Sequence, residues 1–224
     1  MAQANTKDKQ ALRQENIEQT VSKTDQFFAE NKKLLWGILI AVVVVGLAVL
    51  GYSKFIYQPA CEEAMQQALA AETAFQAGDF QTALEGDGNA LGFAQLIDDY
   101  GTKAGRSVYM YAGVCALQLG NYEDALAYLK KYNGREPILA ARALACEGDA
   151  YVGLEDYANA ISCYKQAAAK ADNVFAAQYL LKEGVALEKT GDASAALKCY
   201  EQIKDKYPQS IEGYDIDKYI NRVK

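Results

Sequence analysis

From Leu34 to Tyr52 the chain passes 19 consecutive positions without a charge, LLWGILIAVVVVGLAVLGY. At about 1.5 Å of rise per helical residue this run reaches about 28 Å, close to the roughly 30 Å of bilayer hydrocarbon. The β-branched stretch Val42–Val45 would suit a strand, but a strand needs only about 4–8 residues, so the length predicts a single transmembrane helix over 34–52. Trp36 and Tyr52 fall near its two ends, at headgroup level. A cleaved secretory signal has an apolar core of about 7–15 residues behind a short basic stretch. Here a polar leader, residues 1–33, precedes a longer core and Lys54 follows almost at once, the pattern of a retained anchor. Gln58 stands where a lipoprotein site before Ala60-Cys61 needs a leucine-like residue, so Cys61 reads as an ordinary juxtamembrane position.

Charge next to the anchor orients it. Lys23, Lys32 and Lys33 lie upstream and Lys54 alone downstream, which predicts a cytoplasmic leader over 1–33 and an extracytoplasmic domain over 53–224. Up to Thr20 the leader is too polar to offset its own ordering entropy. Ser22 and Asp25 resemble a helix start, so a helix is expected from Thr24 into the anchor. Ile17, Val21 and Phe28 are the leader's candidate docking residues; a solvated leader is the simpler reading.

Beyond the anchor the hydrophobic pattern repeats. Residues 106–139 carry Tyr109, Gly113, Gly120, Tyr122, Ala125, Leu126, Leu129 and Pro137. The same places in 141–174 hold Leu144, Gly148, Glu155, Tyr157, Ala160, Ile161, Tyr164 and Asp172, and in 177–210 they hold Leu180, Gly184, Gly191, Ala193, Ala196, Leu197, Tyr200 and Pro208. The register steps by 35 and then 36 residues. Gly113, Gly148 and Gly184 fall within predicted helices, where glycine costs about 1 kcal/mol relative to alanine, so a second helix is expected to approach closely there. Ala125, Ala160 and Ala196 serve the same approach from the other side. Gly120-Asn121, Glu155-Asp156 and Gly191-Asp192 mark tight turns, and Pro137 and Pro208 fall after the second helices.

An altered copy over 64–104 precedes these, with Ala71, Gly78-Asp79-Phe80, Ala83 and Leu84 at the marker positions. It is longer by the glycine-rich insertion 85–91 (EGDGNAL), after which Phe93, Leu96, Ile97 and Tyr100 resume helical spacing. Asp87-Gly88-Asn89 lacks the ligand count and closing glutamate of a calcium loop. At the other end, Ile216, Tyr219, Ile220 and Val223 predict a capping helix over 211–223 that covers the last apolar face. The fold class is therefore all-α: one transmembrane helix, then a helix-turn-helix solenoid with a C-terminal cap.

Composition removes most chemistry. There is no histidine, so the commonest general base and metal ligand are missing, and no CxxC pair supports a redox or zinc site. No catalytic residue, metal or cofactor is expected. A net charge of −6 argues against nucleic acid as partner. The leader contributes six basic and five acidic residues, so the excess acid belongs to the domain beyond the anchor. Adjacent carboxylates such as Glu62-Glu63, Asp98-Asp99 and Glu123-Asp124 point to different helix faces and do not converge. The five cysteines leave at least one unpaired. Cys163 and Cys199 share a position in successive repeats, on helices expected about 8–10 Å apart, too far for a bridge, so they read as packing thiols.

The period and markers resemble the tetratricopeptide repeat (TPR), a helix-turn-helix unit of about 34 residues. With the leader and single span, the layout resembles the YfgM-like proteins, accessory partners of the SecYEG translocon. That resemblance implies a protein of the bacterial inner membrane with its N-terminus cytoplasmic and its C-terminal domain periplasmic. Its implied partners are the translocon, periplasmic chaperones or exported clients. In TPR units, positions 2, 5, 9 and 12 of the first helix line a concave groove. Here these hold Met65, Ala68, Glu72 and Phe75; Ser107, Met110, Val114 and Leu117; Arg142, Ala145, Asp149 and Val152; and Gln178, Leu181, Val185 and Glu188. The apolar subset, Met65, Phe75, Met110, Val114, Leu117, Val152, Leu181 and Val185, is the expected protein-binding groove. The expected role is a non-enzymatic, membrane-anchored interaction module, an envelope adaptor or chaperone accessory. The alternative is a scaffold that self-associates through the groove.

Overall fold

The computed structural model describes residues 31–170 and 173–224. The helix start at Ser22 and Thr24, the leader's apolar positions and the repeat marker Asp172 lie outside the described residues. The chain divides into two units, Met1–Gln58 and Pro59–Lys224. In the first, α1 (Lys32–Tyr52) buries no side chain; Leu34, Val42, Leu47 and Leu50 are among its exposed residues. It is long and apolar enough to cross a membrane. A π-helical turn, Ser53–Tyr57, follows it in sequence.

The second unit is a row of short antiparallel helices: α2 (Gln58–Gln76), α3 (Phe80–Glu85), α4 (Phe93–Tyr100), α5 (Arg106–Gln118), α6 (Tyr122–Leu129), α7 (Pro137–Gly153), α8 (Tyr157–Lys170), α9 (Phe175–Lys189), α10 (Ala193–Lys206), α11 (Ile211–Tyr214) and α12 (Ile216–Arg222). Among the described residues the only β pairing is an isolated bridge, Gly86 to Leu91, closing the glycine-rich loop between α3 and α4. In that loop the Asp87 carboxylate accepts from the Asn89 and Ala90 amides at 2.9 and 2.7 Å, so the aspartate holds the turn. Buried side chains form three clusters along the row, the first centred on Phe93, Leu96 and Leu129, the next on Tyr164 and Tyr179, the last on Tyr200, Ile203 and Ile216.

The close approaches occur at the mid-helix glycines. A Cβ built on Gly148 would stand 2.5 Å from Cε1 of Tyr164, and one on Gly113 would stand 2.6 Å from Cγ of Leu129. At Gly184 the obstructing atom is Cε1 of Tyr200. Opposite them, Ala125, Ala160 and Ala196 are fully buried. Each second helix thus lays a large side chain on the bare backbone of the first.

Each turn uses one device. Gly78, Gly120 and Gly191 adopt left-handed φ of 80°, 79° and 83°, and the next residue's amide reaches back to a helix carbonyl, as Asn121 N does to Ala116 O and Asp192 N to Leu187 O. Asp79, Asp156 and Asp192 then cap the following helix through their carboxylates. In the turn between α7 and α8, Glu155 occupies the left-handed position at φ 60°, as the only described non-glycine residue there.

Two expectations are revised at helix ends. Pro137 does not trail the second helix of its repeat: α6 stops at Leu129, and Pro137 opens α7, where its missing N–H costs nothing. Glu136 caps that start, accepting from Ile138 N and Leu139 N at 3.1 and 2.6 Å. The cap is also two helices rather than one. Ser210 caps α11, the chain turns at Asp215, and α12 buries Ile216 and Ile220 while Ile211 and Tyr214 stay exposed.

Among the described residues, Glu183 is the one buried charged side chain. Burial pushes its carboxyl above the usual glutamate range, against the opposing pull of Lys165 and of a hydrogen bond with Cys199. A carboxyl raised on folding binds its proton more tightly folded than unfolded, so stability falls as pH climbs past the ordinary glutamate pKa. Glu183→Gln is expected to melt higher than the parent at pH 7, with the gap closing below about pH 4 in thermal unfolding followed by circular dichroism. Glu155→Gly is expected to add about 0.5–1 kcal/mol in denaturant unfolding, since the left-handed conformation costs a side-chain-bearing residue about 1–2 kcal/mol.

Candidate protein-binding groove

Three successive first helices, α5, α7 and α9, line one groove. From α5 come Val114, Leu117 and Gln118; from α7 come Ile138, Arg142, Ala145, Cys146 and Asp149; from α9 come Phe175, Gln178, Tyr179 and Lys182. They enclose a cavity of about 320 Å³. The spacing explains the gathering: 138, 142, 145 and 149 step by four, three and four along α7, one helical face, and 175, 178 and 182 do the same on α9.

Charges in the groove are partly settled internally. Lys182 Nζ donates to both Asp149 oxygens at 2.7 and 2.6 Å, and the Tyr164 hydroxyl donates to Asp149 Oδ1 at 2.7 Å. Burial, then the adjacent Asp149 charge, drives the Tyr164 phenol far above its ordinary pKa, so it stays a donor. Burial likewise pushes the Cys146 thiol up to about 11, with Asp149 adding to it. Such a thiol stays protonated at neutral pH and is a poor nucleophile. Arg142 is exposed and makes no ion pair among the described residues, so it is the groove's uncompensated charge.

Of the expected groove residues, Val114 and Leu117 line this cavity together. Val152 and Val185 are exposed at 36% and 37% but lie outside its lining, and Leu181 packs against the C-terminal core. Met65 is 71% exposed on α2, away from this cavity. Two of the expected residues are internal instead. Met110 is buried at 6% exposure, and Phe75 is taken up by an aromatic cluster, its ring centroid 5.1 Å from Tyr111, 5.7 Å from Phe80 and 6.3 Å from Phe93. The altered first repeat, its second helix interrupted by the glycine-rich loop, fills its interior with these rings.

Ile138 and Phe175, 42% and 50% exposed, are absent from the sequence-based set. Both lie at a helix N-terminus, three and two residues before the repeat starts placed at Ala141 and Ala177. The signals were local: Pro137 after a capping Glu136, and Asn173, whose side chain accepts from Phe175 N at 2.9 Å.

Comparison with known proteins agrees with this architecture. Residues 92–137 and 147–211 match the tetratricopeptide repeat model. No curated protein sequence matches the chain. Two solved structures of MamA are similar in fold. One has 19% identity and a TM-score of 0.54, covering 68% of this chain and 91% of that one; the other has 19% identity and a TM-score of 0.54, covering 73% and 86%. The helical row of this chain is a TPR solenoid.

Proposed function

We propose that the chain is a non-enzymatic, membrane-anchored adaptor whose groove between α5, α7 and α9 holds an extended segment of another protein. The observation that carries this reading is the groove itself: exposed apolar side chains, Ile138 and Phe175, beside Arg142, which makes no ion pair among the described residues. The lining is mixed, with Gln118, Gln178 and the Asp149–Lys182 pair beside the apolar side chains, so it offers both apolar contact and convergent polar groups to an extended segment. The occupant is a segment presenting apolar side chains and a carboxylate, the latter to Arg142. The TPR fold supports a protein as the partner class.

The finer role rests on layout. The span over 34–52, the upstream lysines and the YfgM-like arrangement support a leader in the cytoplasm and residues 53–224 outside it, in a bacterial inner membrane. Partners reached from there are newly exported chains, periplasmic chaperones or translocon subunits.

A photoreactive amino acid at Phe175 in the full chain, irradiated in membranes, is expected to crosslink a distinct protein partner. Adding Arg142→Glu and Leu117→Asp is expected to reduce that product at least tenfold, roughly the loss when a central anchor is removed, with helicity unchanged. An identical crosslink pattern in a well-folded double variant overturns the assignment.

A further inference from the structure

A larger groove lies on the other side of α9. Its walls are α8 and α10 and its floor is α9, whose Leu180, Glu183 and Leu187 face this way while Phe175, Gln178 and Lys182 face the first groove. It encloses about 550 Å³ and is mostly apolar, with Ile161 and Ala168 on one wall and Ala195 on the other. Its rim is basic: Lys165 from α8, Lys198 and Lys206 from α10. All three are exposed, and none forms an ion pair among the described residues. Glu183 is the one acidic lining residue, buried in the floor against Cys199. An excess of cation over an apolar floor, in a chain of net charge −6, calls for an acidic amphipathic partner.

The chain supplies such a surface. Helix α2 contains Glu62, Glu63 and Glu72 and no lysine or arginine. Glu62, Met65, Leu69 and Glu72 step by three, four and three, so they share one face. Met65 and Leu69 on that face are 71% and 60% exposed. A helix at the start of a solenoid has no preceding repeat to cover it and is ordinarily polar on its outer side. This one is not. Glu62 and Glu72 are about 15 Å apart along the helix axis, while Lys198 and Lys206 are about 12 Å apart along theirs, so the two charge patterns match in length.

We propose that the groove between α8 and α10 receives α2 of a second copy of this chain, with Met65 and Leu69 on the apolar floor and Glu62 and Glu72 against the rim lysines. The two surfaces sit at opposite ends of the sequence, so the contact joins unlike patches and either is exchanged reciprocally in a pair or propagates copy to copy. This interface leaves the α5, α7 and α9 groove open and stands independently of the function proposed for it.

Sedimentation velocity of the detergent-solubilised full chain tests it. The parent is expected to self-associate with concentration, and more weakly as salt screens the exposed charges. A groove variant, Lys165→Glu with Lys198→Glu and Lys206→Glu, and an α2 variant, Glu62→Lys with Glu72→Lys, are each expected to associate at least about tenfold more weakly. Mixed together, the two variants place reversed charges opposite one another and are expected to recover parental association. Of the α2 changes Glu62 is exposed and Glu72 half-buried, and neither makes an ion pair among the described residues, so the α2 variant remains informative if the groove variant does not fold. A monomeric parent overturns the proposal, as does association unchanged by the α2 variant, or well-folded variants that fail to recover on mixing. A parent that stays monomeric with lipid in the groove overturns it in favour of an anionic amphiphile.

Discussion

The stack depends on how closely the two helices of each repeat meet at one point. Gly113, Gly148 and Gly184 leave bare backbone in the first helix, and Leu129, Tyr164 and Tyr200 of the second lie on it. In the last two repeats the tyrosine does more than fill the gap. Its hydroxyl crosses the first helix to a carboxylate, Tyr164 to Asp149 and Tyr200 to Glu188, and each carboxylate also receives a cation from the element that follows. Lys182 of α9 reaches Asp149, and Arg222 of α12 reaches Glu188 at 2.6 and 2.9 Å. Burial pushes Glu188 upward, but the hydrogen bonds from Arg222 and Tyr200 outweigh it and hold the carboxyl below its usual range. One close approach within a repeat therefore also registers the next unit. Where leucine replaces tyrosine, at Leu129, the same hydroxyl-to-carboxylate link is not made, and the neighbouring contact joins apolar packing to Lys130, whose ammonium lies 5.3 Å from the Tyr151 ring centroid of α7.

This arrangement gives α9 two open faces. Because its Gly184 lies against α10, one side of the helix is carried toward α7 and the other is left as the floor between α8 and α10. The side toward α7 has its ammonium group neutralised by Asp149, which leaves Arg142 to set the sign of the first groove. The other side holds a single buried carboxyl beneath three exposed lysines. The same helix thus separates two grooves of different chemistry by about half a turn.

Much of the fold was legible because glycine and aspartate are costly or useful at few places. A glycine repeated every 35 or 36 residues inside an apolar pattern signals close helix packing, and glycine-aspartate pairs signal a turn and a cap. The site was less legible. Marker alignment fixes the middle of each helix but not its first turn, so Ile138 and Phe175 were missed while Val114 and Leu117 were found. Periodicity also cannot separate a groove face from a face filled by neighbours. Phe75 and Met110 have the right spacing, but the interrupted second helix of the first repeat brings Phe80 and Phe93 onto Phe75, and Met110 is buried. Glu155, a side-chain-bearing residue at φ 60°, was readable as a turn only through its repeat position.

The close approach at Gly184 can be measured as a coupling energy. Gly184→Ala, Tyr200→Ala and the double variant of the full chain, unfolded in urea and followed by circular dichroism, form a double-mutant cycle. If the Tyr200 ring lies on the Gly184 backbone, Gly184→Ala is strongly destabilising in the parent and far less so without the ring, a coupling of at least about 1 kcal/mol. Losses that add to within about 0.5 kcal/mol would contradict the contact, and with it the packing on which the repeats are registered.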